Sequence, residues 1–505
     1  MKRRLIYLTL LLGVFAFSSC SEDYLETTPT SAIAESDAFK TTDNALMALN
    51  GIHRSMFMQY SNQDESGQGS VMIWMDMLGE DVVMHSAGNG WWNANYQWVM
   101  HRSETGRGNY FAWRFYYKII ANANMIIANV DKAVGPTNVK NMIKGEAFAL
   151  RGWAHFQLVQ LFAGRYVPGG VNDQAGVPLM TFNTQEGQPR ATVAAVYTQV
   201  NADLDSAIYR LDPSRSLSRS AKSHINVNVA KGIKARVALT QGLWSSAATL
   251  ANEARQGFSF MSAAQHLQGY SDIANPEWMW GSMQIDDQTT YFYSFFAYMS
   301  YNFSSTNIRN NPKKINSTLY NLIPATDVRK GLWLPTVARP PIVLPTTFTI
   351  APFMNRKFLT KATVFQGSQP TIATSSVGDV PYMRVAEMYL IEAEALARQG
   401  GQDAAAANVL FTLARNRDAS YALSTNTGQA LIDEIMLQRR IELWGEGFRF
   451  LDLKRLNLPL DRTGANHNPT LAGQVMTVAA GTNEWVFLIP KDELNANKQI
   501  GAQNP

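Results

Sequence analysis

Residues 143–164 read IKGEAFALRGWAHFQLVQLFAG and carry the pattern on which the fold depends. Apolar side chains recur here every three or four residues, at Ile143, Ala147, Leu150, Ala154, Leu158 and Leu161. Because an α-helix has about 3.6 residues per turn, this spacing places all of them on one face. The stretch therefore predicts an amphipathic helix that ends at Gly164.

A second amphipathic segment precedes this helix. Residues 109–131 show the same spacing at Trp113, Tyr117, Ile120, Asn124 and Ile127. Gly135 and Pro136 lie between the two segments and indicate a turn. The two segments together predict a helical hairpin.

The hairpin pattern returns twice along the chain. Residues 227–257 predict two helices divided at Gly242, residues 382–417 predict two divided at Gly400, and a further helix is predicted from about 38 to 60. Pairs of amphipathic helices with alanine at the contacts are typical of tetratricopeptide-like arrays. The hairpins are irregularly spaced, which argues against a regular solenoid. We therefore expect a mainly α-helical fold built from tetratricopeptide-like hairpins.

Residues 260–380 have a different character. They are rich in Asn, Ser, Thr, Pro and aromatic residues, and a long helix is excluded by Pro340, Pro341, Pro345 and Pro352. We expect an irregular, loop-rich region here, laid over a helical frame formed by residues about 38–260 and 380–455. Loops on a rigid frame usually carry the binding surface. We therefore assign this region to the ligand side of a single domain that spans residues 38–505.

The first twenty residues have the organisation of an export signal. A basic start, Lys2-Arg3-Arg4, precedes an apolar run over residues 5–17, and Ser18, Ser19 and Cys20 follow. The run is too short for a membrane-spanning helix, which needs roughly 20 apolar residues, but it is typical of a secretory signal peptide. We predict a lipoprotein signal peptide over 1–19, a Cys20 acylated with palmitate or a similar chain, and a lipidated tether over 20–37. The alternative is conventional cleavage that leaves Cys20 as a free thiol.

Composition excludes some classes of function. The 505-residue chain has a formal charge of +4, and removal of the three basic residues in the signal leaves +1. A nearly neutral chain gives no electrostatic reason to expect binding to nucleic acid. Aromatic residues make up 11% of the chain and charged residues only 17%, which is charge-poor. Such a chain has enough rings to fill a large core and still present some to a ligand.

Residues 89–98, NGWWNANYQW, interleave rings with amides. The apolar face of a sugar ring lies flat on an aromatic ring, while amides both donate to and accept from sugar hydroxyls. The sequence therefore predicts ligand-binding residues at Trp91, Trp92, Asn93, Tyr96 and Trp98. The alternative for each ring is a place in the core of the loop.

A second aromatic cluster covers residues 278–303. Its rings are too dense for all of them to face water. We expect Tyr291, Tyr293 and Tyr301 to be the exposed members, because their hydroxyls tolerate water.

Trp74 and Asp76 complete the candidate ligand site. Asp76 belongs to a small acidic group with Glu80 and Asp81 that could accept hydrogen bonds from a sugar. A structural role is favoured for these acids, either as helix caps or as ion pairs with Arg102 and Arg107.

A pair of carboxylates raises the question of catalysis. Glu442 and Glu446 stand four residues apart on a predicted helix, and paired carboxylates can hydrolyse glycosides. Such chemistry needs one carboxyl with a raised pKa, whereas four arginines nearby favour two ionised groups. These are Arg439, Arg440, Arg449 and Arg455. We therefore predict a salt-bridged structural helix rather than a catalytic pair.

The sequence gives no indication of a metal ion or another cofactor. Its seven histidines show no metal-ligand spacing. Phosphate-binding loops and nucleophile elbows are also missing from the sequence.

Several stretches resemble the SusD/RagB family of outer-membrane nutrient-binding lipoproteins. They are GEAFALRGWAHFQLVQLFAG (145–164) followed by GVPL (176–179), VPYMRVAEMYLIEAEAL (380–396), RRIELWGEGFRFLDLKR (439–455), and the terminal LIPKDELNANKQIGAQNP. The resemblance includes the signal and the acidic DYLET tether, so it extends over nearly the whole mature chain.

This resemblance implies a lipoprotein on the outer face of the outer membrane, held there by its lipid anchor alone. It implies a protein that captures oligosaccharides, or peptides in the RagB branch, and passes them to a TonB-dependent transporter of the SusC type. It also implies binding without catalysis. Glu22 and Asp23 resemble a short version of the acidic export signal of surface lipoproteins.

Three alternatives to a glycan-binding lipoprotein remain open at this point. A peptide-binding member would keep the fold and exchange the ligand. A helical glycoside hydrolase at the cell surface would use the Glu442–Glu446 pair. A scaffold protein would use its hairpins for protein contacts and bind no small ligand.

Overall fold

Helices supply most of the regular structure of the chain. The computed structural model describes residues 38–288, 292–335, 345, 347–367 and 369–505. Within these ranges the longer helices are α1 (Thr42–Ser55), α2 (Gln68–Met77), α3 (Arg107–Asn129), α4 (Thr137–Phe162), α5 (Val193–Leu211), α6 (Val227–Gln241), α7 (Trp244–Ala254), α8 (Val385–Gln399), α9 (Asp403–Arg417), α10 (Gly428–Glu442) and α11 (Arg449–Leu456). Short α-helices cover Asn93–Tyr96, Ala263–His266, Phe296–Met299, Thr306–Arg309, Ser317–Asn321 and Lys491–Ala496, and 3₁₀ turns cover Met100–Arg102, Val130–Lys132, Asp286–Gln288, Val328–Leu332 and Asn483–Trp485. The fold is mainly α, as the sequence predicts.

Helices α3 and α4 form the first predicted hairpin, and α5, which the sequence analysis does not predict, packs closely on α4. Glycines make this approach possible, because a Cβ on Gly145 would lie 2.7 Å from Leu211 and one on Gly152 would lie 3.1 Å from Asp203. Arg151 of α4 then donates to the two carboxylate oxygens of Asp203 at 2.8 and 2.6 Å. Small residues and one buried ion pair therefore fix α5 against the hairpin.

The other two predicted hairpins are α6–α7 and α8–α9. Gly242 ends α6 in a left-handed conformation, with φ of 71°. Helix α8 is apolar on two sides: Met388 and Ile391 belong to the main core, whereas Leu390 and Ala393 belong to a smaller core shared with α9 and α10. Helix α8 therefore joins the two cores.

The strands form short antiparallel pairs, and some of these pairs connect distant parts of the chain. Strands β4 (Trp278–Gly281) and β8 (Pro381–Arg384) pair with each other and bring the two ends of the loop-rich region together. The other pairs are β1 (Val82–Val83) with β5 (Lys314–Ile315), β2 (Ala175–Pro178) with β3 (Arg190–Thr192), β6 (Phe365–Gln366) with β7 (Gln369–Pro370), and β9 (Leu460–Asp461) with β10 (Thr477–Val478). The β1–β5 pair fastens the chain after α2 to the loop-rich region.

A buried cluster of charges lies where the helical frame meets the loop-rich region. Arg384, at the end of β8, donates to Glu442 at 2.9 Å and to Glu446 at 2.6 Å. Arg417 of α9 donates to Glu442 at 3.0 Å and to Glu277 at 2.8 Å. Further members are Asp327, Arg329 and Lys357. Four acids and four bases thus balance inside the protein, and they come from both parts of the fold.

Glu442 and Glu446, the two carboxylates that raised the question of catalysis, are both ionised. Burial alone would raise the pKa of Glu442, but Arg417, Arg384 and Arg329 together hold it well below its ordinary value. The same competition, with Arg384 and Lys357, lowers the pKa of Glu446. The predicted salt-bridged role is therefore right, but two details of the prediction are wrong. Glu446 lies beyond the end of α10 rather than on the same helix, and the partners are not the four nearby arginines.

Those four arginines pair elsewhere. Their carboxylate partners are Asp452 for Arg439, Asp81 for Arg440, Glu80 for Arg449, and Glu394 with Asp452 for Arg455.

Within the described ranges, no helix is both long enough and apolar enough to cross a bilayer.

We expect Arg384→Met to lower the free energy of unfolding by about 3–5 kcal/mol, because it leaves Glu277 and Glu442 partly unpaired in the interior. Urea unfolding followed by circular dichroism measures the change. Lys491→Met is the matched control, since its 3.0 Å pair with Glu104 is exposed and should contribute about 1 kcal/mol or less. Similar losses in the two variants would contradict a special role for the buried cluster.

We expect Asp452 to contribute to sensitivity to acid. Burial would raise its pKa, but Arg439 and Arg455 lower this pKa to about 2. A carboxylate with a depressed pKa stabilises the fold above its unfolded pKa, and this stabilisation, about 2.5 kcal/mol, is lost as the pH falls toward 2. Asp452→Asn should therefore be less stable at pH 7 and should lose less further stability between pH 4 and pH 2.5. Urea midpoints at pH 7, 4 and 2.5 measure both effects, and parallel pH profiles for the two proteins would refute the assignment.

Candidate functional site

The candidate ligand surface centres on Trp91, in the loop that follows β1. Trp91 is half-buried, whereas its neighbour Trp92 is only 3% exposed. The two residues separate because Trp92 adopts a left-handed conformation, with φ of 70°, directly before the short helix Asn93–Tyr96. Such a conformation is costly for a bulky residue and is a mark of functional loops. The strained turn thus leaves one indole partly open to solvent and buries the other.

Hydrogen bonds from a distant segment hold this loop in place. Ser86 donates through its hydroxyl to the carbonyl of Asn310 at 2.7 Å. The backbone amides of His85 and Ser86 donate to the Asn311 side chain at 3.0 and 3.2 Å. Asn89 donates to the Thr306 hydroxyl at 2.8 Å. The loop is therefore fixed to the loop-rich region rather than free.

The two predicted aromatic clusters meet at this point. The ring of Tyr298 lies 6.4 Å from that of Trp91 and 5.3 Å from that of Trp92, edge to face in both cases. Tyr293, five residues before Tyr298, is half-buried, and Phe292 is 38% exposed. The structure thus joins two stretches that lie about 200 positions apart in sequence.

Arg107, the first residue of α3, covers one face of Trp91. Its guanidinium carbon lies 4.9 Å from the ring centroid, and Nη2 lies 2.8 Å from a carboxylate oxygen of Asp64. Burial raises the pKa of Asp64 to about 6, against the opposing influence of Arg107. Because the cation–π contact uses one face of the indole, stacking of a ligand is restricted to the other face. The sequence analysis missed both roles, since nothing local connects Asp64 or Arg107 to Trp91.

Several predicted ligand residues are interior and offer no ring face to a ligand. The buried members of the predicted set are Trp74, Asp76, Trp92, Tyr96, Trp98 and Tyr301. For Trp92, Tyr96 and Trp98 the alternative of a place in the core is right, and Asp76 has the structural role that was favoured for it. Trp74 and Tyr301 are also buried, so the exposure expected from their residue type is wrong. The indole of Trp98 donates to the carbonyl of Leu78 at 3.1 Å, the hydroxyl of Tyr96 bonds to His467, and Asp76 accepts from the amide of Gly447 at 3.0 Å.

The predicted set therefore reduces to Trp91, Asn93 and Tyr293 as partly exposed members. Asn93 donates to the carbonyl of Ala87 at 3.2 Å, which keeps its amide beside Trp91. Tyr291 lies outside the described residues, as does the predicted lipidation site Cys20.

Glu80 and Asp81, the two acids grouped with Asp76 in the sequence, have structural roles. Glu80 accepts from Arg449 at 2.8 Å and Asp81 accepts from Arg440 at 3.1 Å, so the predicted ion pairing is right. The predicted partners Arg102 and Arg107 are wrong for these acids. Arg107 binds Asp64, as described above.

Folding also brings together histidines that the sequence keeps apart. His53, Glu146 and His224 each place a potential metal-ligand atom within 4.8 Å of the others. Glu146, however, already accepts from His53 and from Arg219, each at 2.9 Å, and His224 lies 2.9 Å from the side chain of Asn50. These contacts make the group a hydrogen-bonded junction between α1, α4 and the segment before α6. No local spacing could have indicated it.

Comparison with known proteins places the chain among described relatives. Residues 23–239 match a family model described as starch-binding and associating with the outer membrane, and residues 253–505 match the model of the SusD family. The SusD-like protein P2 of Formosa agariphila is 26% identical over 537 aligned positions that cover 100% of this chain and 99% of the relative.

Solved structures show the same fold. A SusD-like carbohydrate-binding protein from Bacteroides vulgatus superposes with a TM-score of 0.78 at 25% identity, over 92% of this chain and 98% of that one. A SusD superfamily protein from Bacteroides thetaiotaomicron gives a TM-score of 0.76 at 24% identity, over 92% and 100% of the two chains. The two family models together match nearly all of the residues from 23 to 505, which confirms the resemblance, and the chain belongs to the SusD/RagB family.

Proposed function

We propose that this protein is a surface-exposed, lipid-anchored glycan-binding protein that captures oligosaccharides and delivers them to a SusC-type TonB-dependent transporter. The observation that carries the proposal is the half-buried indole of Trp91, which contacts Arg107 and the ring of Tyr298. A partly exposed aromatic ring that is fixed in this way can stack on the apolar face of a sugar.

The chemistry around Trp91 suits a neutral sugar. Asn89 and Asn93 lie two positions before and after Trp91 in the loop, and Tyr293 is a half-buried phenol five positions before Tyr298. An open ring face stacks on the apolar side of a pyranose, while amides and the phenol reach its hydroxyls. The carbohydrate-binding relative from Bacteroides vulgatus supports the same class of ligand.

Catalysis is not part of this proposal. Glu442 and Glu446 are both buried and both ionised, so neither can supply the proton that glycoside cleavage requires.

We infer the location from the N-terminal sequence and the family, and the transporter partner from the family resemblance alone. A signal peptide over 1–19, an acylated Cys20 and a tether over 20–37 would hold the domain outside the outer membrane. The match to a family described as associating with the outer membrane supports this location.

We expect Trp91→Ala to weaken glycan binding about tenfold, because one stacked ring contributes up to about 1.5 kcal/mol. Affinity electrophoresis in gels that contain laminarin, starch, xylan, galactan or polygalacturonate measures retardation. The matched control is Tyr209→Ala, which removes a ring on α5, away from the Trp91 loop. Tyr209 is 59% exposed, and its variant should bind as the wild type does. Equal retardation of Trp91→Ala and wild type would refute the proposed surface, and saturable binding of mixed peptides without any glycan binding would favour a RagB-like peptide ligand.

We expect the native protein to carry an acyl chain and to co-purify with a large barrel protein. Labelling of cells with a palmitate analogue, detergent extraction and mass spectrometry of the co-purified proteins test both points. Cys20→Ser should lose the label and leave the membrane fraction while its purified domain still binds glycan. A labelled Cys20→Ser variant would rule out acylation at this residue.

A further inference from the structure

The exposed face of α3 continues away from Trp91. Arg107, Tyr110, Arg114 and Tyr117 follow one another at steps of three and four residues and are all exposed or half-buried. From the first to the last of them the helix rises about 15 Å, which is longer than a single sugar ring needs. Tyr110 is 40% exposed, and its ring lies 5.1 Å from the guanidinium of Arg114. A stripe of rings and guanidinium groups therefore leads from the Trp91 surface along the helix.

A groove of about 470 Å³ lies along the second part of this stripe. We call it the α3 groove. Its aromatic residues are Tyr110 and Tyr117 of α3, together with Trp113, which is buried, and the segments around residues 178–188 and 492–497 line the rest. This volume is in the range of small-ligand sites.

The rings of the α3 groove are fixed by hydrogen bonds. The indole of Trp113 donates to Glu493 at 3.2 Å, and the hydroxyl of Tyr117 donates to the carbonyl of Pro178 at 2.8 Å. Asn497 donates to Glu493 at 2.9 Å and to the carbonyl of Gln188 at 2.8 Å. The groove is thus preorganised, which reduces the entropy that a ligand loses on binding.

The charges beside the α3 groove favour a neutral ligand over an anion. Arg107 pairs with Asp64 at 2.8 Å and Arg114 pairs with Glu65 at 2.6 Å, so both cations on the stripe are already compensated. Glu186 and other carboxylates line the groove, which opposes the approach of an acidic chain. Aromatic rings, amides and carboxylate acceptors together suit a chain of neutral sugars.

We propose that the α3 groove is an extension of the Trp91 surface that binds the continuing chain of the same neutral glycan, with Tyr110 as its main stacking residue. This inference rests on the proposed function and adds to it a preference for longer chains. A ligand that only reaches Trp91 gains nothing from the groove, whereas a longer one is held at two places.

The test compares chain lengths. A polysaccharide that retards the wild-type protein in the gels named above is partly hydrolysed, its fragments are separated by size, and each fraction is titrated by isothermal calorimetry. We expect Tyr110→Ala to weaken the binding of long fragments about three- to tenfold and to leave the affinity for the shortest binding fragment unchanged. Trp91→Ala should weaken the binding of fragments of every length. Tyr110→Phe keeps the ring and should bind as wild type does, and thermal midpoints show that each variant is folded.

The outcomes separate the inference from the function on which it rests. If Trp91→Ala weakens binding and Tyr110→Ala changes nothing at any length, the α3 groove is refuted and the proposed function stands. If the wild type binds none of the five polysaccharides, both fail. If only gels that contain polygalacturonate retard the protein, the preference for a neutral glycan is refuted. If Tyr110→Ala keeps its affinity for long fragments but no longer co-purifies with a barrel protein, the face contacts a protein partner instead.

Discussion

The buried charges around Arg384 and Glu442 are the constraint on which the rest of this molecule depends. Removing so many charges from water is costly, and only near-complete pairing makes it tolerable. Because Glu442 comes from α10, Arg417 from α9 and Glu277 from the strand region, pairing requires the helical frame and the loop-rich region to meet in one geometry. A mainly apolar contact would allow more than one arrangement of these parts.

That fixed geometry is what gives the Trp91 loop its precision. The loop has little regular structure, yet it is fastened to residues about 220 positions away through Asn89, Ser86 and Asn311. Those anchors hold position only because β1 pairs with β5 and β4 pairs with β8. Irregular backbone is therefore compatible with a rigid ligand surface, provided that the frame beneath it is specified by buried polar contacts.

The helices were predictable to a large extent, because their apolar faces repeat locally. The stretches that predicted the first hairpin became α3 and α4, with ends shifted by only a few residues. Helix α5 was not predicted, although Val196, Val200 and Leu204 recur at the four-residue spacing of a helical face. The local periodicity of this segment was therefore sufficient to indicate a helix. The ion partners of Glu442 were a different problem, since Arg384 and Arg329 lie 58 and 113 positions away and no local rule selects them.

The sequence predicted the region of the candidate site but not which of its residues are exposed. Composition directed attention to residues 89–98, but it could not separate Trp91 from Trp92, because one backbone conformation decides which indole is exposed.

The cover that Arg107 places over Trp91 has a kinetic consequence. Under the proposed function, a sugar would stack on the uncovered face of this ring and could dissociate without movement of any protein segment. Its dissociation rate would then depend on the contacts that are lost. Such release would suit the proposed delivery step, because the transporter would need only a modest advantage in affinity to receive the ligand.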